Sequence, residues 1–372
     1  MGKGVLITGG AGFLGSYVAE ELLRQGWRVR ALDNLCPQVH GIHASRPDYL
    51  HEEVELMVGD VRDADAVTRA CDQMDAVIHL ASAVGVAQSM YQIRAYSDTN
   101  IMGTAVLLEE LTKRNIQKLV VASSMSIYGE GLYAGPDGRI HEHVCRKPAD
   151  LLRGDFEVRD NQGLKLEPLA TPETKAPSLQ SIYASNKHAQ EAMCMAFGRG
   201  YGIPTCALRF WNAYGPRQAL SNPYTGVMAI FASRLLNNKP AVLFEDGRQQ
   251  RDFVSAHDIA RACRLALEDP HSVGEVFNVA SGRPISILDI AHHIAGAMGK
   301  KHIQPEITGQ CRAGDIRNCL SDISKARRIL HYEPQITLEE GIQELADWLR
   351  GRSAIDRLTH ARAELTSRGL AI

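Results

Sequence analysis

The sequence predicts an α/β protein, a doubly wound parallel sheet with helices on both faces joined to a smaller mixed α/β lobe. Three observations carry this. Short apolar runs alternate with helical patterns through the first half of the chain, as a parallel sheet covered on both faces requires. The first run, Val5-Leu6-Ile7-Thr8, passes straight into a glycine turn, Gly9-Gly10-Ala11-Gly12-Phe13-Leu14-Gly15. After Phe210 the alternation gives way to turns and isolated helices.

Taken in order, Val5–Thr8, Trp27–Leu32, Val54–Val58, Ala76–Leu80, Lys118–Ser123 and Thr205–Phe210 read as short buried strands. Between them lie helical patterns at Gly15–Gln25, Ala64–Cys71, Ile101–Arg114 and Tyr183–Tyr201. Residues from about 130 to 178 are rich in Gly, Pro and charge without clear periodicity, which predicts a lid or a small subdomain. Further on, helices are expected at Gly226–Leu236, Asp258–Leu267, Ile287–Met298 and Leu338–Leu349, with part of the chain returning to the sheet. The tail Ala354–Leu370 has Ile355, Leu358 and Leu365 at helical spacing.

Bulk properties narrow the function. The 372 residues are 45% hydrophobic and 23% charged, ordinary for a globular protein. A formal net charge of −2 gives no electrostatic case for nucleic acid or an anionic membrane as partner. No apolar run approaches the roughly 20 residues of a membrane span, and the first strand leaves no room for a signal peptide. Eight scattered cysteines without a Cys-x-x-Cys pair read as reduced thiols of a cytoplasmic protein. The fourteen histidines lack a ligand pattern, so no metal is expected.

The glycine turn fits both Gly-x-Gly-x-x-Gly (Gly10, Gly12, Gly15) and Gly-x-x-Gly-x-x-Gly (Gly9, Gly12, Gly15). Glycines let the backbone turn tightly and a pyrophosphate approach a helix N-terminus. Gly9, Gly12, Phe13, Leu14 and Gly15 are therefore candidate dinucleotide-binding positions. Asp33, followed by Asn34, ends the second strand. A carboxylate there accepts both ribose hydroxyls of NAD and repels the extra phosphate of NADP; Arg28 and Arg30 argue weakly the other way, and a plain turn role is the alternative. Asp60 and Val61 close the third strand, where they meet an adenine ring or, for Asp60, cap the next helix. Leu80 and Ala81 close the fourth, where small residues let the chain skirt a cofactor; His79 is as readily a core histidine as a contact.

The hydroxyls of Ser123-Ser124-Met125-Ser126 end the fifth strand, as turn formers or as hydrogen-bond partners of a substrate oxygen. Tyr183-Ala184-Ser185-Asn186-Lys187 sets a phenol and an ammonium four residues apart, on one face of a helix. A phenol beside a fixed cation ionises below its usual pKa of about 10. Together with the glycine turn this suggests hydride chemistry on an alcohol.

These residues together resemble the extended short-chain dehydrogenase/reductase family, in its nucleotide-sugar epimerase and dehydratase branch, from Val5 to about Trp348. The resemblance implies a Rossmann-type fold: an NAD-binding domain over 1–210, a mainly substrate-binding lobe over 211–350 and a helical tail over 351–372. It makes Tyr183 and Lys187 the catalytic base and its activating lysine, and Ser124 their partner. Leu208 to Pro216 looks like the family's Arg-x-x-Asn-x-x-Gly-Pro stretch, with Asn212 near a diphosphate. Gln250 to Val254 and Arg312 to Arg317 match two later segments, in which Arg251 and Arg312 clamp the diphosphate as bidentate guanidinia suit. The 4,6-dehydratases place Asp-Glu where this chain has Met125 and Ser126, and the glucuronate decarboxylases resemble this stretch with a Glu at Ser126. What remains is 4-epimerisation, or reduction of a keto-sugar. Tyr128 and Tyr183 lie 55 residues apart, and the segment between them looks like an insertion in dTDP-L-rhamnose 4-epimerase-like enzymes. The resemblance thus implies NAD, a nucleotide-diphosphate sugar such as dTDP-L-rhamnose, oxidation to a 4-keto sugar with re-reduction on the opposite face, and a homodimer. A keto-sugar reductase and a non-catalytic NAD-binding regulator are the alternatives.

Overall fold

The computed structural model describes residues 2–42, 45–312 and 314–370. Seven strands form one sheet: β1 (Gly4–Thr8), β2 (Arg28–Asp33), β3 (Glu55–Val58), β4 (Ala76–His79), β5 (Lys118–Ser124), β6 (Thr205–Phe210) and β7 (Val276–Val279). Every pairing is parallel, in the order β7-β6-β5-β4-β1-β2-β3. Residues of β1, β4, β5 and β6 are buried throughout, which is why they read as apolar runs rather than alternating ones. The strand order reverses between β1 and β4, and a ligand crevice opens outside the carboxyl ends at such a point. Register brings those ends level: Thr8 pairs with His79, and Ser124 with Phe210.

Two helical layers cover the sheet. On one face α1 (Phe13–Arg24) and a later helix, Ala256–Glu268, bury Val18, Leu22, Ile259 and Cys263 against Val5, Ile7 and Ile78. On the other, α2 (Ala64–Ala70), α3 (Gly103–Leu111) and α4 (Ile182–Tyr201) bury Val67, Leu107, Leu111 and Cys194 against Leu6, Val77 and Leu119. The Ser181 hydroxyl caps α4 by accepting from the Ala184 N–H, and Gly202 ends it in the left-handed region. Beyond the sheet, the helices Val227–Leu236, Ile287–Ala297 and Leu338–Leu349 enclose a separate core around Phe231, Ile294 and Leu345. No helix among the described residues is long and apolar enough to cross a membrane.

One detail differs from expectation, and one open alternative is resolved. The helix expected from Ile101 is preceded by a π-helical turn, Asp98–Met102, which buries Asn100. The Asn100 amide accepts from the Ala83 N–H and donates to the Ala83 carbonyl, fixing the chain just past β4. The aperiodic stretch is a small subdomain rather than a loose lid. Its strands Leu132–Ala134, Ile140–His141 and Glu167–Thr171 join Leu320–Ser321 in a four-stranded sheet over Tyr133, Val144, Val158 and Leu166. Strands of two to five residues leave no periodicity to read. It departs and returns at one place, where the Ser178 N–H donates to the Ile127 carbonyl.

Buried ion pairs lock this subdomain to the lobe. Arg317, 2% exposed, pairs with Glu245, Asp246 and Glu157, and Arg146 pairs with Glu130 and Glu245. Removing one partner of such a pair strands the other charges. Arg317→Met should therefore lower unfolding stability by about 3–5 kcal/mol, measured by urea denaturation. An unchanged midpoint would show that the subdomain is docked by its apolar contacts alone.

Candidate active site

At the carboxyl end of β1 the chain turns through Gly9, whose φ of +70° lies in the left-handed region, and enters α1 at Gly12. No side chain caps α1, so its first N–H groups face the crevice, which suits an anion. A Cβ on Gly15 would collide with the Gly9 carbonyl oxygen, and one on Gly9 would sit 3.0 Å from Ala81. Phe13 and Leu14 form the first turn of α1 and pack on the core beneath. The Leu80 and Ala81 N–H groups donate to the Thr8 carbonyl and hydroxyl, holding the end of β4 beside the turn.

Asp33 is nearly buried at the end of β2. Its carboxylate accepts from the Ala11 N–H (3.0 Å) and the Leu35 N–H (2.9 Å), and His40 stands 3.7 Å away. Each oxygen keeps acceptor capacity for a further donor. Asn34 donates to Asp60 (3.1 Å), whose carboxyl is held down at about 2, first by its hydrogen bond with Arg62. The cap of α2 is Asp63, which accepts from Asp65 and Ala66 N–H, so Asp60 is not the helix cap. Val61 is buried against Gly103 of α3. An uncapped helix start, a turn with no room for Cβ atoms and a carboxylate with acceptors to spare fit a dinucleotide.

Tyr183 is the second residue of α4, and its N–H donates to the Ser89 hydroxyl (3.0 Å). Burial raises its phenol, and a hydrogen bond with Ser124 at the end of β5 opposes that rise. Lys187, one turn on, is 3% exposed and donates to the Gln190 side-chain oxygen (2.7 Å). Burial pushes the ammonium down to about 8, against the pull of Cys194 and Glu191. Gln190 continues to Thr104 (3.0 Å) and His79 (3.2 Å), and His79 to Thr8 (2.7 Å). His79 is thus a core histidine, pushed down to about 3 by burial and then by Lys187, and it stays neutral at physiological pH.

The lobe side is unevenly prepared. Asn212 Oδ1, Trp211 Nε1 and Ser126 Oγ are buried without a partner among the described residues. Such atoms each cost about 1–3 kcal/mol unless something bonds them, and all three follow the ends of β5 and β6. Among the described residues Arg251 donates only to the neutral carbonyls of Gln250, Ile316 and Arg317 and makes no ion pair, and burial lowers its pKa. The Arg312 guanidinium is taken by Asp315 at 2.9 and 3.0 Å, and it lies 4.2 Å over the Phe244 ring. A carboxylate three residues on competes for the same fork geometry that suits phosphate. Ala313, within that segment, lies outside the described residues.

Sequence reasoning missed Ser89, Gln190, Trp211 and Glu130. Glu130 accepts from the Arg317 and Asn318 N–H groups, and so fixes the carbonyls that hold Arg251. Its only signal was a lone acid straight after Tyr128-Gly129.

The lowered Lys187 pKa has a stability consequence. Between pH 8 and 10.5 the unfolded chain binds more protons at this site than the folded one, so stability rises with pH across that window. Below pH 8 the whole penalty, on the order of 3 kcal/mol, remains. Lys187→Met should stabilise the fold at pH 7 by about 2 kcal/mol after losing the Gln190 bond, a gain that fades toward pH 10.5. Denaturation at several pH values checks this; a destabilised variant at pH 7 would mean the ammonium is fully compensated.

Comparison with known proteins follows the geometry. The profile described as "NAD dependent epimerase/dehydratase family" matches residues 5–148 and 162–280. The chain is 37% identical, over 94% of its length and 95% of the other, to dTDP-L-rhamnose 4-epimerase of Burkholderia thailandensis. It is similar to the structure of UDP-glucose 4-epimerase of Thermotoga maritima with UDP-glucose (TM-score 0.75, 30% identity, 93% of this chain and 98% of that one). A second similar structure is Thermus thermophilus UDP-glucose 4-epimerase in complex with NAD (TM-score 0.73, 30% identity, 94% and 99%). The chain belongs to the NAD dependent epimerase/dehydratase family, as an NAD-dependent enzyme of the extended short-chain dehydrogenase/reductase type.

Proposed function

We propose that this enzyme is a nucleotide-sugar 4-epimerase acting on a dTDP-6-deoxyhexose such as dTDP-L-rhamnose. The observation that carries this reading is the turn after β5. Ser124 faces the Tyr183 phenol, whereas Met125 is buried in the core and Ser126 carries a neutral hydroxyl. No carboxylate stands there to remove water from carbons 5 and 6, so the chemistry left is oxidation and reduction at an alcohol. The 37% identity to dTDP-L-rhamnose 4-epimerase supports the choice of sugar.

Tyr183 takes the proton of the sugar's 4-hydroxyl, with Ser124 bonded to the same oxygen. Lys187, one turn on along the same helix, is the cation this reading assigns to favour the phenolate against the burial that opposes it. NAD, when bound, supplies the acceptor and then the donor of the hydride. Gly9, Gly12, Phe13, Leu14 and Gly15 would cradle its pyrophosphate, Asp33 its ribose, and Asn34, Asp60, Val61, Leu80 and Ala81 its flanks. Asn212 and Arg251 hold the sugar's diphosphate while the 4-keto ring turns its other face, and Arg312 joins them by exchanging Asp315 for phosphate. Tyr183 returns the proton to the new alcohol. A homodimer is part of this reading: Ile93 and Met102 are each about half exposed on one helical stretch, and light scattering of the purified protein tests it.

The enzyme should purify with NAD bound and interconvert the two 4-epimers without added reductant. Tyr183→Phe should keep the bound NAD and lose about 10²–10⁴-fold in kcat. Cofactor released by denaturation, with a panel of dTDP- and UDP-sugars, checks both. An empty protein that consumes NADH with a keto-sugar would replace the epimerase by a reductase.

A further inference from the structure

The C-terminal tail returns across the lobe to Gln310 and Tyr91. Asp356, 4% exposed in its side chain, pairs with Arg234 (3.1 Å) and Lys239 (3.0 Å). The Ile355 N–H donates to the Ser221 hydroxyl, and Asn237 donates to the Ala354 carbonyl. These bonds deliver a helix, Leu358–Ser367, that buries Ala361 and Leu365. The remaining face of that helix meets two separate parts of the chain, around Gln310 and around Tyr91.

Toward the lobe, Arg362 donates to the Gln310 side chain (2.8 Å) and lies 5.9 Å from the Phe244 ring centroid, the same ring that carries Arg312. Toward the sheet, Glu364 approaches the Tyr91 hydroxyl (3.4 Å), which bonds Tyr224, while Arg368 lies over the Tyr91 ring. Tyr91 is two residues past Ser89, the acceptor of the Tyr183 N–H. One helix therefore spans from the neighbourhood of the catalytic tyrosine to that of the paired arginine.

Charge singles out Arg362. Arg312 is neutralised by Asp315, and Arg368 by Glu364. Arg362 makes no ion pair among the described residues, and its only side-chain hydrogen-bond partner there is the neutral amide of Gln310. A diphosphate carries several negative oxygens, Arg312 must give up Asp315 to reach them, and a guanidinium without an acidic partner suits paired oxygens. We propose that Arg362 is a substrate-binding residue, a guanidinium supplied by the tail to the nucleotide diphosphate beside Arg312. The proposal rests on the nucleotide-sugar reading of the lobe.

The test titrates dTDP, and separately UDP, into the full-length NAD-loaded protein by calorimetry, for wild type, Arg362→Ala and Arg362→Lys. Arg362→Ala should weaken the nucleotide about tenfold or more, flatten the salt dependence and raise KM for the sugar nucleotide with kcat unchanged. Arg362→Lys should recover part of the affinity, because it keeps the charge and loses the fork. Equal nucleotide affinity in wild type and Arg362→Ala would overturn the proposal and leave the tail a packing element. A wild-type protein that binds neither nucleotide would instead overturn the nucleotide-sugar reading itself, and this proposal with it.

Discussion

One carboxylate sets the geometry on which the site depends. Glu191 lies within α4, one turn past Lys187, and is 5% exposed. It accepts from the Ser123 hydroxyl of β5 (2.5 Å) and from Arg209 of β6 at 2.6 and 3.0 Å. Arg209 goes on to the Tyr128 hydroxyl (2.8 Å), and Tyr128 to Asn278 of β7. A buried bidentate pair is strongly directional and unforgiving of displacement. It fixes the rotation and height of α4 against β5, and therefore the meeting of Tyr183 with Ser124. The hydroxyl that bonds Glu191 belongs to the residue immediately before Ser124, so the clamp and the chemistry share a strand end.

Around that clamp the protein holds groups that are unfavourable in the free fold. Lys187 is an ammonium with one neutral partner, Arg251 a guanidinium on three carbonyls, and Asn212, Trp211 and Ser126 present unbonded polar atoms. Each loses solvation without full compensation. Under the proposed function a charged, hydroxyl-rich ligand would bond them, and the same deficit would become affinity. Such local violations mark a site positioned for something other than stability.

The central sheet was legible because parallel strands buried on both faces spell near-continuous apolar runs, as Lys118–Ser124 and Thr205–Phe210 do. The glycine turn and the Tyr183/Lys187 pair were legible because their chemistry depends on fixed short spacings. Four kinds of feature were not. The π-helical turn at Asp98–Met102 is set by Asn100 bonding a loop 17 residues earlier, a tertiary preference with no local pattern. The insertion's strands are too short to show a period. The Arg312–Asp315 pair was not drawn from the sequence, since a three-residue spacing in an irregular segment permits but does not require an ion pair. Glu130 acts through main-chain N–H groups nearly 190 residues away. Pairings of long sequence separation between polar residues leave no trace in periodicity.

The central claim is that hydride leaves carbon 4 and returns to it within one binding event. Its most direct test uses a dTDP-6-deoxyhexose deuterated at carbon 4 and turned over in ordinary water with no added cofactor. The account predicts a 4-epimer that retains the deuterium at carbon 4, because the label never reaches solvent. Loss of the label to water, or its appearance in a nicotinamide cofactor that must be added for turnover, would contradict it.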